Sequence, residues 1–455
     1  MCAIPKNEVF KHCVLATACV GSPFIIYNKE GVSPNFGLPL YFNKKSAEIT
    51  NENLVMWPIM CTFAPFFKVT VMKERFLWML TAILTCGLLT ASCSDNDDQS
   101  SPRDEVEEQL AKMTLREKVG QMFFVRMETL DTTIHWNAYS DLQENPIHEV
   151  NKTMRDVNAN YPIGGLILYA WNIDDEAQLA KLIPQIRALN GHPLLCIDEE
   201  GGRVSRLANN PNFNVKKYES MAAIGATGDP KNAYECGNTI GTYLKHYGFD
   251  IDFAPVADVN TNPENIIIGP RAFSDDPQVA AKMVTSYLQG LDDAGVTGCI
   301  KHFPGHGDTK TDTHFGYAST QKTWEEMMNC EMVTFKAGIQ WGCQLIMTAH
   351  IGAPNVTGSD VPSTMSSVIL QDKLRGELGY QNIIITDGME MGAITQQYSS
   401  AEAAVSSIKA GVDIVLGPKN LVEAFDAVMD AVNKGTITEE RINQSVRRIL
   451  KLRQQ

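Results

Sequence analysis

The chain has 455 residues, 44% of them hydrophobic and 20% charged, with 33 Gly and 21 Pro. That composition fits a globular protein and excludes disordered and collagen-like chains. Its 39 basic and 53 acidic residues leave a formal charge of −14, the wrong sign for a nucleic-acid surface, so no nucleic-acid partner is expected. The charge is uneven: residues 1–93 carry eight basic and five acidic side chains, a net of +3, which leaves 31 against 48, a net of −17, for residues 94–455.

Two kinds of sequence therefore meet near position 93. Met72-Lys73-Glu74-Arg75, the uncharged run Phe76 to Ala91 and then Ser92-Cys93 have the layout of a bacterial export signal, with an apolar stretch too short to span a bilayer comfortably. Cys93 after Thr90-Ala91-Ser92 resembles the lipobox of bacterial lipoproteins, although Thr90 stands where Leu is usual. The resemblance implies that Cys93 is lipidated and becomes the mature N-terminus. Residues 72–93 are thus expected to be a signal peptide, and residues 94–105 a flexible tether, acidic from Asp95 and with little to bury. Residues 1–71 show no helical or strand period, so an upstream extension without a fold is expected there, with Met72 as the translation start. The tether resembles the acidic surface-export tag of some Gram-negative lipoproteins. An outer-membrane anchor, facing the cell surface, is the implied location, with the periplasm as the alternative.

From residue 106 to 455 an aliphatic run, a polar loop and a helical pattern recur, as in parallel βα units. The expected strands are 121–126, 165–169, 194–198, 251–255, 298–302, 345–349, 383–387 and 413–416. Eight such units predict an α/β fold, a single (β/α)8 TIM barrel, over a doubly wound sheet, since no G-x-G-x-x-G follows the first strand. Thr114-Leu115-Arg116-Glu117 reads as a capping box opening the first helix. Thr436-Ile437-Thr438-Glu439 has the same spacing before the last helix, whose apolar stripe is Ile442, Val446, Ile449 and Leu450. Five of the eleven cysteines fall beyond residue 93, scattered and without a C-x-x-C pair, so they are expected to act as small buried hydrophobes.

Such a barrel carries its site at the carboxyl ends of the strands. There the chain places Asp198-Glu199-Glu200-Gly201-Gly202-Arg203, Ala254 to Asp258, Lys301-His302 to Asp308, Thr348-Ala349-His350 and Thr386-Asp387-Gly388. Three of the nine histidines, His302, His306 and His314, share one loop. Zinc could draw on such a loop, but Lys301 beside His302 would repel a cation, so no metal and no cofactor is expected. Glycosyl transfer through a covalent intermediate needs a carboxylate nucleophile and a separate proton donor. Asp387 suits the first role. Asp312-Thr313-His314 supplies the second as a His made more basic by a carboxylate two residues away.

Lys301-His302-Phe303-Pro304-Gly305-His306-Gly307, four residues, then Asp312-Thr313-His314 resembles the signature of glycoside hydrolase family 3 β-N-acetylglucosaminidases of the NagZ type. Asp198 to Arg206, Ile268 to Ser274 and Thr386 to Met391 resemble further motifs of that family. The resemblance spans about residues 108–455. It implies a retaining enzyme in which Asp387 attacks the anomeric carbon and His314, oriented by Asp312, protonates the leaving oxygen and then activates water. It also implies that Asp198, Arg206, Arg271, Lys301 and His302 hold a terminal N-acetylhexosamine from muropeptides or glycans. Glu199 stands where the family usually has Gln and could bind a cationic sugar or pair with Arg203 or Arg206. For Arg271 and Lys301 the plainer alternative is an ion pair with Asp258 or Asp312. His306 is expected to shape its loop, and His350 is left open. Family β-glucosidases generally take their acid/base from a second domain, which is not expected here. Phosphorolysis and β-glucoside hydrolysis stay open as alternatives, as does a lipid-anchored glycan-binding protein, and a monomer is expected.

Overall fold

The computed structural model describes residues 102–136, 139–310, 312–314 and 316–455, and two strands in the leading segment, Val14–Ala16 and Ile25–Tyr27. Those two strands pair antiparallel, where no regular structure was expected. The expected signal peptide, Cys93 and the tether as far as Ser101 lie outside the described residues. Residues 1–98 and 99–455 form separate units.

Eight parallel strands make up the centre of the second unit: β1 (Phe123–Arg126), β2 (Gly165–Leu168), β3 (Leu194–Ile197), β4 (Ile251–Asp252), β5 (Thr297–Phe303), β6 (Leu345–Thr348), β7 (Ile383–Thr386) and β8 (Val415–Leu416). Their order is 8-1-2-3-4-5-6-7, and a parallel bridge from Ile385 to Ile414 joins the two ends of the row. Every ladder in the row is parallel, so each connection must cross back over the outside, and the helices do so. This is the expected (β/α)8 barrel. Its strands are buried on both faces, which is why they read as aliphatic runs with little alternation.

Strand boundaries differ from expectation throughout: β4 ends at Asp252 and not at 255, β8 begins at Val415 and not at 413, and β2, β3, β5, β6 and β7 each end one residue from the expected position. The first strand begins at Phe123 because the preceding helix, Leu115–Gln121, runs through Gln121. That helix does open on the expected box: Glu117 N–H donates to Thr114 Oγ1 at 3.3 Å and Thr114 N–H to Glu117 Oε2 at 2.7 Å. The last helix, Glu439–Arg453, is capped by Thr438 and not by Thr436, whose hydroxyl turns back to Ala431 O at 3.0 Å. Its stripe of Ile442, Val446, Ile449 and Leu450 is buried as expected. A further helix, Pro102–Lys112, starts four residues before the expected domain edge, burying Val106 and Leu110 and pairing Glu107 with Arg447 at 2.6 Å. Cys196, Cys236, Cys299 and Cys343 are buried free thiols and Cys330 is half-buried.

Candidate active site

The carboxyl ends of the strands surround a cavity of about 300 Å³, lined by Asp198, Glu200, Arg206, Arg271, Lys301, His302, His314 and Asp387 among others. Seven of the eight residues that the sequence assigned to chemistry or sugar binding thus face one space, and the eighth, Asp312, bonds to His314 behind it. The volume is at the small end of the range of small-molecule sites, about 300–1,000 Å³.

β7 delivers Asp387. Its N–H donates to Thr348 O of β6 at 3.1 Å, and its Oδ1 accepts from Gly388 N–H at 2.7 Å. Burial alone would raise this carboxyl, but the facing imidazoles of His302, His350 and His314 and the Gly388 N–H outweigh it and hold it at about 2. At neutral pH the group is therefore an anion. His350, left open by the sequence, is fully buried and lies outside the cavity lining; its ring bonds Thr364 Oγ1 and Gly388 O, each at 2.9 Å, so it supports the turn after Asp387.

β5 delivers Lys301 and His302, and the loop beyond it delivers Asp312 and His314. His314 Nδ1 lies 2.8 Å from Asp312 Oδ1, which also accepts the His314 N–H at 2.9 Å. Burial would lower the imidazole pKa, yet the Asp312 bond and the charges of Asp387 and Asp312 outweigh it and raise it. The loop is tied to the segment just beyond Asp387, since Gly392 N–H donates to His314 O and Ala393 N–H to Thr313 O, both at 3.0 Å. His306 is buried between Thr309 Oγ1 (2.5 Å) and Thr313 Oγ1 (3.3 Å), which fits its expected loop-shaping role, and burial holds it neutral with a pKa of about 4.

The cationic groups are paired in a way the sequence did not foresee. Arg271 makes a bidentate pair with Glu200 at 2.7 and 2.8 Å, and Lys301 Nζ lies 2.6 Å from Glu200 Oε1 and 2.8 Å from Asp198 Oδ1. Asp258, offered as an alternative partner for those cations, instead accepts from His302 Nδ1 at 2.7 Å. His302 Nε2 lies 3.4 Å from Arg271 Nη2. Asp198 also meets Arg206 Nη2 at 3.2 Å. Burial would raise both carboxyls; Lys301 and Arg206 pull Asp198 below its usual range, and Arg271 and Lys301 pull Glu200 far below it. Glu199 pairs with neither arginine side chain: it is fully buried and accepts from the backbone N–H groups of Arg206, Leu207 and Ala208 and from Tyr243 Oη.

Some contributors went unassigned in the sequence. Glu200 shares a side with Asp198 by the two-residue period of an extended segment, a signal that could have placed it. Glu390 carries no such local mark. It lines the cavity, buried, with Arg126 Nη1 at 3.6 Å and Tyr169 Oη at 3.5 Å, and burial raises its pKa despite Arg126. Tyr169 and Trp171, stacked at 4.6 Å and 3°, line the β2 side of the cavity.

Comparison with known proteins agrees with this fold. Residues 114–452 match the model of the glycosyl hydrolase family 3 N-terminal domain. The chain is 33% identical over 330 residues to Beta-hexosaminidase A of Pseudoalteromonas piscicida, covering 66% of this chain and about half (54%) of that protein. It is 34% identical over 287 residues to a Beta-hexosaminidase of Xanthomonas campestris pv. campestris, covering 62% of this chain and 85% of the other. Among solved structures, a glycoside hydrolase family 3 beta-N-acetylglucosaminidase from Paenibacillus sp. str. FPU-7 superposes with a TM-score of 0.68 at 35% identity, over 75% of this chain and 62% of that one. The motifs on the barrel rim, the closed parallel ring and the match over residues 114–452 lead to one conclusion: this chain belongs to glycosyl hydrolase family 3.

Proposed function

We propose that this protein is a retaining exo-β-N-acetylglucosaminidase that removes terminal β-linked N-acetylhexosamine from cell-wall muropeptides or other glycans. The observation that carries the reading is that the anionic Asp387 and the Asp312-supported His314 face one cavity of single-sugar size. Asp387 is the nucleophile: being ionised, it attacks the anomeric carbon and forms a glycosyl ester. His314, whose imidazolium is favoured by Asp312 and Asp387, donates a proton to the departing oxygen. Once the aglycone has left, the neutral imidazole takes a proton from water, which displaces Asp387 and restores the configuration. Asp198, Arg206, Arg271, Lys301 and His302 bind the hydroxyl and acetamido groups with charge-assisted hydrogen bonds. The hexosaminidase names of the Pseudoalteromonas and Xanthomonas relatives support the choice of sugar.

Release of aryl alcohol from an aryl N-acetyl-β-glucosaminide by the parent, and its loss in Asp387→Ala, tests this reading. Equal rates in the two proteins would overturn it. Running the assay with inorganic phosphate separates hydrolysis from phosphorolysis, since only the latter yields a sugar 1-phosphate. For the segment before the barrel we propose the lipoprotein reading, supported by the basic start, apolar run and Cys93.

A further inference from the structure

Asp198, Glu199 and Glu200 are three consecutive acids at the end of β3, and neighbours in an extended segment point to opposite sides. Asp198 and Glu200 line the cavity, where Lys301 bridges them. Glu199 faces the other way, with no exposure, toward the helix Pro230–His246, and no cation pairs with it among the described residues. Its charge is met by four donors. Oε2 accepts from Arg206 N–H at 2.5 Å and Leu207 N–H at 2.9 Å; Oε1 accepts from Ala208 N–H and from Tyr243 Oη, both at 2.9 Å. Three successive N–H groups converging on one anion form a nest, here filled by the chain's own carboxylate.

We propose that Glu199 is a positioning residue for sugar binding, one that acts through Arg206 by fixing the 206–208 turn from which that side chain reaches the cavity. Arg206 is the residue whose own N–H Glu199 holds, and its guanidinium then spans to Asp198 Oδ2 at 3.2 Å and lies 5.7 Å from the Tyr169 ring centre. The contacts made here fit an acid better than an amide. Backbone N–H groups can only donate, and both oxygens of Glu199 receive at least one of them. In Gln the amide NH2 must replace one of those oxygens, so whichever way it turns it opposes a backbone donor.

This inference rests on the reading of Arg206 as a sugar ligand, and the test separates the two. KM and kcat for an aryl N-acetyl-β-glucosaminide are measured for the parent, Glu199→Gln, Arg206→Ala and the double variant, each checked for folding by thermal melting. Glu199→Gln is expected to raise KM at least about fivefold with a smaller change in kcat. In the double variant KM should match that of Arg206→Ala alone, because the turn has nothing left to position. Should the two effects multiply, or should KM stay at the parent value in Glu199→Gln, the positioning role is overturned. An unchanged KM in Arg206→Ala would instead overturn the ligand role of Arg206. If Glu199→Gln does not fold, Tyr243→Phe, which removes one of the four donors and leaves the nest, takes its place in the cycle; a multiplicative result there overturns the proposal equally.

Discussion

His314 Nδ1 stands 2.8 Å from Asp312 Oδ1, and the loop that carries both is bonded through its backbone to Gly392 and Ala393, just beyond Asp387. Residues carried by two separate βα units are thereby held as one unit. The Asp312 bond matters because burial of His314 lowers its imidazole pKa, and Asp312 opposes that together with the charge of Asp387.

Replacing Asp312 by Asn should shift the alkaline limb of the kcat/KM profile to lower pH. Asp312 raises the His314 pKa, so the imidazolium survives to higher pH in the parent, and removal of the carboxylate lets the proton leave earlier. The acid limb should not be set by Asp387, which stays ionised down to about pH 2. A loss of at least about tenfold in kcat/KM is expected. It should be smaller for aryl groups that leave without help. A pH–rate series on two leaving groups measures both effects, and an unshifted alkaline limb would contradict the dyad.

Lys301→Met should destabilise the fold by about 3–5 kcal/mol, because the buried carboxylate of Glu200 and the half-buried one of Asp198 lose their shared, buried cation. Urea unfolding at pH 7 gives the number. Both carboxyls have folded-state pKa values below their ordinary ones, so the stability they contribute is present above the ordinary carboxylate range and is lost as pH falls through the folded values. The gap between parent and variant should therefore narrow as the pH is lowered. A gap that stays constant well below pH 4, as far down as both proteins remain folded, would show that packing, not charge, is responsible.

Gly417→Ala should cost about 2–4 kcal/mol. Its φ is +57°, and an added Cβ would lie 2.3 Å from Glu390 Oε2. Glu390 cannot withdraw freely, since it is buried and held beside Arg126 Nη1 at 3.6 Å and Tyr169 Oη at 3.5 Å. Differential scanning calorimetry checks the cost. A melting temperature equal to the parent's would mean that the carboxylate has room to move.

Cys93→Ala in the full chain, expressed in a Gram-negative host, should release the protein from the membrane fraction and abolish labelling by a radioactive fatty acid. Retention of the label would place the lipid elsewhere.

The architecture was legible in the residues because it depends on local periodicity. Eight aliphatic runs separated by helical patterns specify eight βα units, and such units close into a barrel whose polar strand ends meet on one rim. Asp387, His314 and Asp312 were legible for the same reason, the last two being close in sequence and able to meet without help from the fold. Boundaries were less legible. Gln121 is polar and ends a helix, and Thr436 and Thr438 both offer a hydroxyl, so the choice of cap fell to the geometry of the preceding turn.

The residues alone determined the repeat, the rim and the identity of the charged groups. Which charge meets which was decided only by barrel closure. Arg271 and Glu200 are 71 positions apart and Lys301 and Asp198 are 103 apart, while Asp312, a candidate partner much nearer to Lys301 in sequence, is taken by His314. The buried meeting of Arg126 with Glu390, and the turning of Glu199 into the backbone nest, have the same cause. Electrostatic pairing depends on distance in space, and in a ring of parallel strands that distance is set by strand order and register, which no local pattern in the chain encodes.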